Sequence, residues 1–277
     1  MNVKGGDEMK LGMSTIVFRD EPLDDRLLTK ISDAGAASVE LTDYHPGFDY
    51  CDLETTSILR AKLKDLGLEL NSFHVHLKYF DPKCDLAAAG LDQRTHVIKR
   101  YREAIEALSG LGGCILVTHD NLIPNADEAG HEEARVSLVR NLTEISALGA
   151  DHGIRIAVEN HGAGYFGSPE HLVDLVRSVG ADNVGICIDV GHRNLCGHPG
   201  GALRIAGEHL ITVHIHDNHG DSDEHLLPTR GAIDCNDVFD ALQQIDFPGT
   251  FMYEIPRPED LADVKDNFKL LLQDSIR

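Results

Sequence analysis

Two glutamates, an aspartate and a histidine, each near the end of an apolar run, are the side chains of this 277-residue chain best placed to do chemistry together. They are Glu159 in Ile-Ala-Val-Glu-Asn, Asp189 in Ile-Cys-Ile-Asp-Val, His214 in Thr-Val-His-Ile-His and Glu254 in Phe-Met-Tyr-Glu-Ile. Their neighbours favour β-structure, and side chains alternate along a strand, so each of the four points to the face opposite those neighbours. All four can therefore share one interior. Three oxygen donors and one nitrogen suit a divalent cation, Mn²⁺, Mg²⁺, Co²⁺ or Zn²⁺, and the set lacks the thiolates of a structural zinc site. Singly, each could be a strand-end cap or an ion-pair partner. Jointly, three anions and an imidazole would repel or crowd one another without a cation, so one bound divalent metal ion is expected.

The elements that must position them follow from periodicity. Strand-like runs occur at about 11–17, 37–42, 68–76, 113–119, 154–160, 184–190, 210–216 and 250–255. Helical spacing intervenes, as in Leu23, Leu27 and Ile31, in Val97, Tyr101, Ile105 and Leu108, and in Leu138, Leu142, Ile145 and Leu148. Eight such alternations, with no linker or low-complexity break, predict a single-domain α/β fold, a (β/α)₈ TIM barrel over residues 10–277, preceded by a loose tail at 1–9. Active sites of that architecture are built at the carboxyl ends of the strands, where the four candidates fall.

Composition narrows the partners. With 46 acidic against 25 basic residues the net charge is −21, which repels nucleic-acid phosphates and anionic membranes; neither is an expected partner. No apolar run reaches the roughly 18 residues of a membrane helix, and residues 1–10 are too polar for a signal peptide. Six cysteines without a Cys-x-x-Cys pair, Cys114 and Cys187 among them reading as small core residues, imply a reducing cytoplasm.

Gly162-Ala-Gly164-Tyr-Phe-Gly167 matches Gly-x-Gly-x-x-Gly after a strand and so raises a dinucleotide site. In such a site the first glycine follows the strand directly and the helix opens within the motif. Here Glu159-Asn160-His161 intervenes and the helix signal, Ser168 as cap with Pro169 behind it, comes after the last glycine, so the segment reads as a loop rimming a pocket. Of the sixteen histidines, His96, His131, His171 and His209 lie in helical patterns and read as surface residues. His74 and His76 share one strand face, as do His214 and His216. Glu40 in Ser-Val-Glu-Leu is inward and could bind a hydroxyl or fix a neighbouring strand.

Val158-Glu159-Asn160-His161, Ile188-Asp189-Val190-Gly191-His192, His214-Ile215-His216-Asp217-Asn218 and Tyr253-Glu254-Ile255, in that order, resemble the xylose isomerase-like sugar phosphate isomerase/epimerase superfamily over about residues 10–275. The resemblance implies a metal held by Glu159, Asp189, His214 and Glu254, with His192 a substrate or second-metal ligand. The superfamily also contains the endonuclease IV type of apurinic-site nuclease, which holds three zinc ions; His74, His119, His192, Asp223 and His225 lie where its extra ligands would fall. The family's usual Gly-x-Gly continuation is here Pro228-Thr229-Arg230-Gly231, and Arg230 adds a forked cation for a substrate carboxylate or phosphate, or else a solvated loop arginine.

The chemistry these residues point to is a divalent-metal-dependent isomerase or epimerase acting on a sugar, keto-sugar, sugar phosphate or polyol through an enediolate. The resemblance suggests that Glu159 and Glu254 flank the substrate as acid and base. His192, His74, His119, His225, Glu40 and Arg230 are the substrate-binding candidates. The alternatives are a three-zinc phosphodiesterase, an inosose-type dehydratase and a silent sugar-binding barrel. Homo-oligomerisation is left open.

Overall fold

The structure, a computed structural model, describes residues 9–119, 128–162, 165–255 and 257–274; the expected tail at 1–9 lies outside them except for Met9, as do two members of the glycine loop, Ala163 and Gly164. Eight parallel strands close on themselves in sequence order: β1 (Lys10–Ser14), β2 (Ser38–Thr42), β3 (Glu69–Val75), β4 (Ile115–His119), β5 (Arg155–Glu159), β6 (Val184–Asp189), β7 (Leu210–Ile215) and β8 (Thr250–Tyr253). Around them run α1 (Asp25–Asp33), α2 (Leu53–Leu66), α3 (Leu77–Phe80), α4 (Leu91–Leu111), α5 (Glu128–Asp151), α6 (Pro169–Val179), α7 (Val190–Asn194), α8 (Pro199–Ala206), α9 (Cys235–Gln244) and α10 (Leu261–Asp274). This is the expected (β/α)₈ barrel.

The helices begin and end where the local chemistry provides. Asp24, Asp52 and Asp234 each accept two amides of the turn they open, at α1, α2 and α9. Gly67, Gly112 and Gly180 close α2, α4 and α6 in the left-handed region that only glycine adopts freely. Ser168 does precede Pro169 at the start of α6, but its hydroxyl donates to Glu170 instead of capping. Two sequence expectations are corrected. The first strand stops at Ser14, whose hydroxyl accepts the Ile16 amide and bends Thr15–Phe18 into a 3₁₀ turn despite their β-favouring side chains. Cys114 is exposed ahead of β4, while Cys187 is buried.

The main core lies between strands and helices, where the outward strand residues meet helical faces; Phe251 of β8, for instance, stacks on Phe239 of α9 at 4.5 Å. A separate apolar cluster comprises Ile115, Val117, Ala157 and Cys187, one from β6 and the others from β4 and β5. Strand register builds a polar layer at the strand ends: His119 pairs with Glu159 and Glu159 with Cys187, while Asp189 pairs with His214. Thr42 pairs with His74 on the far side, and Glu40 with Ser72 one step lower.

Candidate metal centre

Every residue of the sequence-derived quartet arrives at one imidazole atom. His214 Nδ1 lies 3.2 Å from Glu159 Oε1, 3.4 Å from Glu254 Oε2 and 3.9 Å from Asp189 Oδ2. All four side chains are essentially excluded from solvent. The Glu254 amide donates to Ile215 O and so extends the β8 ladder one residue past its end, holding the glutamate at the mouth. The other face of the His214 ring fixes its orientation: Nε2 is 3.1 Å from Glu40 Oε2, which also accepts the Ser72 hydroxyl at 2.7 Å. Glu40 through these contacts ties β2 to β3 and β7. A carboxylate behind a ligating histidine sets which nitrogen is left for a metal, here Nδ1.

Asp189 is equally constrained. Its Oδ1 accepts the His192 amide at 2.7 Å, its oxygens lie 2.9 and 3.1 Å from His216 Nε2, and Asn160 brackets its backbone through Asp189 N (2.8 Å) and Asp189 O (3.1 Å). Gly191 makes room for this. A Cβ there would stand 1.8 Å from His216 Cε1. Neither Gly191 nor the His216 contact was visible in the sequence, because the two meet only after β6 and β7 pair.

A second group surrounds the first. His74 Nε2 and His119 Nε2 approach Glu159 Oε2 at 3.1 and 3.2 Å, and His192 Nδ1 approaches its Oε1 at 3.4 Å. Asp223 joins His192 (3.3 Å) to His225 (2.9 Å), and the His225 ring stacks on His216 at 3.8 Å. The loop carrying them is pinned by Asp217, buried, which accepts the amides of Asn218, Gly231 and Ile233, and His225 takes a left-handed φ of 52° within it. His76, whose ring lies 4.1 Å from that of His74, is held by Asp43 through both its amide and Nδ1. Asp43 was missed in the sequence because its partner is 33 positions away. Arg230 is placed differently from the expected substrate cation: its two terminal nitrogens go to Asp260 (2.5 Å) and Asp263 (2.6 Å), carboxylates of the segment after β8.

The carboxylates of the site are held ionised by the histidines around them. Burial would push the Glu159 carboxyl up, but His214, His74 and His119 hold it well below the usual range. Asp189 is likewise lowered against its burial, by His192 and His216. The metal test rests on the donor set and on unsatisfied atoms: three buried carboxylates stand within 3.9 Å of His214 Nδ1, Glu40 Oε1 and His216 Nδ1 are buried without a hydrogen-bond partner, and Glu159 Oε2 and the nitrogens of His74 meet their neighbours only at ion-pair distance, with no hydrogen bond made. Such groups cost about 1–3 kcal/mol each if left bare, and a divalent cation would satisfy carboxylate and imidazole lone pairs alike. The donors present fit such an ion, with Glu159, Asp189, His214 Nδ1 and Glu254 as its ligands.

Fold and donor set together define an eight-stranded barrel with a carboxylate and histidine centre at its mouth. The family model described as xylose isomerase-like TIM barrel matches residues 28–273, and the chain belongs to that family. It is 30% identical to an uncharacterised protein of Methanocaldococcus jannaschii, covering 96% of this chain and 90% of that protein. It is 28% identical over 261 residues to an inosose isomerase of Bacillus licheniformis, with 87% and 88% covered. Among solved structures, a D-tagatose 3-epimerase-like protein superposes with a TM-score of 0.84 at 26% identity, over 96% of this chain and 98% of that one. An L-ribulose 3-epimerase superposes at 0.81 with 18% identity, over 98% and 96%, which speaks to the fold alone.

Proposed function

We propose that this chain is a divalent-metal-dependent isomerase or epimerase of a ketose, keto-sugar or related polyol. The observation that carries this is the pair of glutamates, Glu159 from β5 and Glu254 after β8, both within 3.4 Å of one imidazole nitrogen although β6 and β7 separate their strands. A substrate entering from the mouth would lie between them. The cation, when bound, supplies positive charge for adjacent carbonyl and hydroxyl oxygens and makes the neighbouring C–H more acidic. Glu159 and Glu254 are then the groups that take a proton from one face of that carbon and return one to it, through an enediolate. Asp189 and His214 hold position. His192, His74, His119 and His225 supply donors and acceptors to hydroxyls around the mouth.

The inosose isomerase and the epimerase-like structure support this reading, the one through sequence and the other through fold and sequence. A panel of ketoses and inososes incubated with the metal-loaded protein and resolved by chromatography tests it; conversion of none of them to an isomer or epimer counts against it. Loss of water from an inosose would instead identify a dehydratase using the same proton abstraction.

A second reading has its own observation. His192, His216, Asp223 and His225 present ligand atoms within 4.8 Å of one another, as do His74, His76 and His119, so up to three cations are conceivable. That nuclearity would suit phosphodiester hydrolysis. The net charge of −21 opposes a nucleic-acid substrate, so we propose one tightly held ion at the barrel mouth and no cleavage of abasic DNA. Elemental analysis with an abasic-site cleavage assay decides. Three zinc ions at the mouth with strand cleavage lost in His225→Ala would replace the isomerase by the nuclease.

A further inference from the structure

Away from the mouth centre, the connection between α3 and α4 assembles three ligand types that the proposed reaction does not use. Asp81 and Cys84 lie on that connection and His96 on the second turn of α4. His96 Nε2 is 2.6 Å from Asp81 Oδ2, Cys84 Sγ is 3.7 Å from the same oxygen, and the three ligand atoms fall within 4.8 Å of one another. The Cys84 side chain is buried, whereas Asp81 and His96 keep about a third of theirs in solvent. His96 is thus not the bland surface histidine that its helical position suggested.

We propose that Asp81, Cys84 and His96 bind a second, thiolate-ligated Zn²⁺ ion, with water in the fourth position, as a clip between residues 81–90 and α4. Zinc accepts this sulfur, nitrogen and oxygen set at roughly 2.0–2.3 Å, so tetrahedral ligand atoms stand roughly 3.3–3.7 Å apart. The sulfur to oxygen spacing already meets that requirement. The nitrogen to oxygen pair must open by about 0.7 Å, within reach of two side chains about one-third exposed that exchange one hydrogen bond for two metal bonds. Arg100, one turn beyond His96, is ion-paired with Glu103 at 2.5 Å, which offsets its charge, and donates to the Tyr50 hydroxyl at 3.0 Å. Burial pushes the Cys84 thiol up to about 12, so the metal-free sulfur is protonated; on binding, the S–H bond breaks, its electron pair forms the S–Zn bond and the proton leaves to solvent.

The sulfur distinguishes this ion from the one at the mouth, whose four ligands contain none. Co²⁺ is the probe, because a thiolate ligand gives it an intense near-ultraviolet charge-transfer band. Cobalt-loaded wild-type chain should show the band, and Cys84→Ser should lose it together with one equivalent of tightly held metal. Cys187→Ala should keep it; that control matters because Cys187 lies beside Glu159 and His214. If Cys84→Ser does not fold, His96→Gln, altered at a partly exposed position, should weaken cobalt binding at the band by tenfold or more. Absence of the band in the wild type, its survival in Cys84→Ser, its loss in Cys187→Ala or its indifference to His96→Gln each overturns the site. None of these outcomes depends on whether the mouth centre is an isomerase.

Discussion

Replacing Gly191 by alanine should damage the metal centre without touching a ligand. The new Cβ would stand 1.8, 2.3 and 2.4 Å from His216 Cε1, Nδ1 and Nε2, whereas ordinary contact begins at 3.4 Å, so the ring must retreat by about 1.6 Å (3.4 − 1.8). His216 is buried and its Nε2 sits 2.9 Å from Asp189, a spacing that does not survive such a shift. Overpacking costs about 1–3 kcal/mol, and a buried carboxylate that loses a hydrogen-bond partner costs a similar amount. Together they predict a loss of about 2–6 kcal/mol in stability and, because groups behind a ligand tune its affinity, 10–100-fold weaker metal binding. Chelator competition with Mn²⁺ or Zn²⁺ and denaturant unfolding measure the two effects. Adding His216→Ala removes the ring that clashes, so the double variant should be more stable than Gly191→Ala alone, a coupling that a double-mutant cycle resolves. Gly191→Ala with wild-type stability and wild-type metal affinity would refute the claim that His216 positions Asp189.

Glu40→Gln keeps the size of the side chain but weakens its hold on His214 Nε2, and metal affinity should fall 10–100-fold by the same competition assay while the Ser72 contact preserves the fold. Stripping the metal with a chelator should lower thermal stability, by about 2.7 kcal/mol relative to protein in metal at one hundred times its Kd; an unchanged melting curve would argue that no cation balances the three buried carboxylates. Asp43 is pushed up to about 6, chiefly by burial, so the fold favours its protonated form. Its contribution to stability is present below the unfolded value near 4 and is lost as pH rises through about 6, and Asp43→Asn should flatten the pH dependence of unfolding across that window.

Much of the architecture was legible because it is written in local pattern. Eight apolar runs separated by helical spacing define the barrel, and alternation along β5, β6 and β7 aims Glu159, Asp189 and His214 at one interior. What escaped depends on pairings between distant strands. Glu40 could be recognised as inward, but its bond to His214 joins residues 174 positions apart, and Gly191 looks ordinary until the His216 ring is placed against it. Loop residues were hardest. Arg230 carries the chemistry of an anion receptor, yet Asp260 and Asp263 claim it, and nothing in its neighbouring sequence announces them. His225 adopts a positive φ in a loop that Asp217, eight positions back, ties together through three amides, a constraint with no periodic signature.

Deuterium wash-in from solvent tests the central claim most directly. The metal-loaded protein is incubated in D₂O with the ketose or inosose that it converts, and the carbon next to the carbonyl is followed by NMR. The two-glutamate account predicts incorporation of solvent deuterium at that carbon by the wild type, and its loss by at least a hundredfold in both Glu159→Gln and Glu254→Gln. Exchange at the wild-type rate in either variant, or turnover with no solvent deuterium entering the carbon, would contradict it.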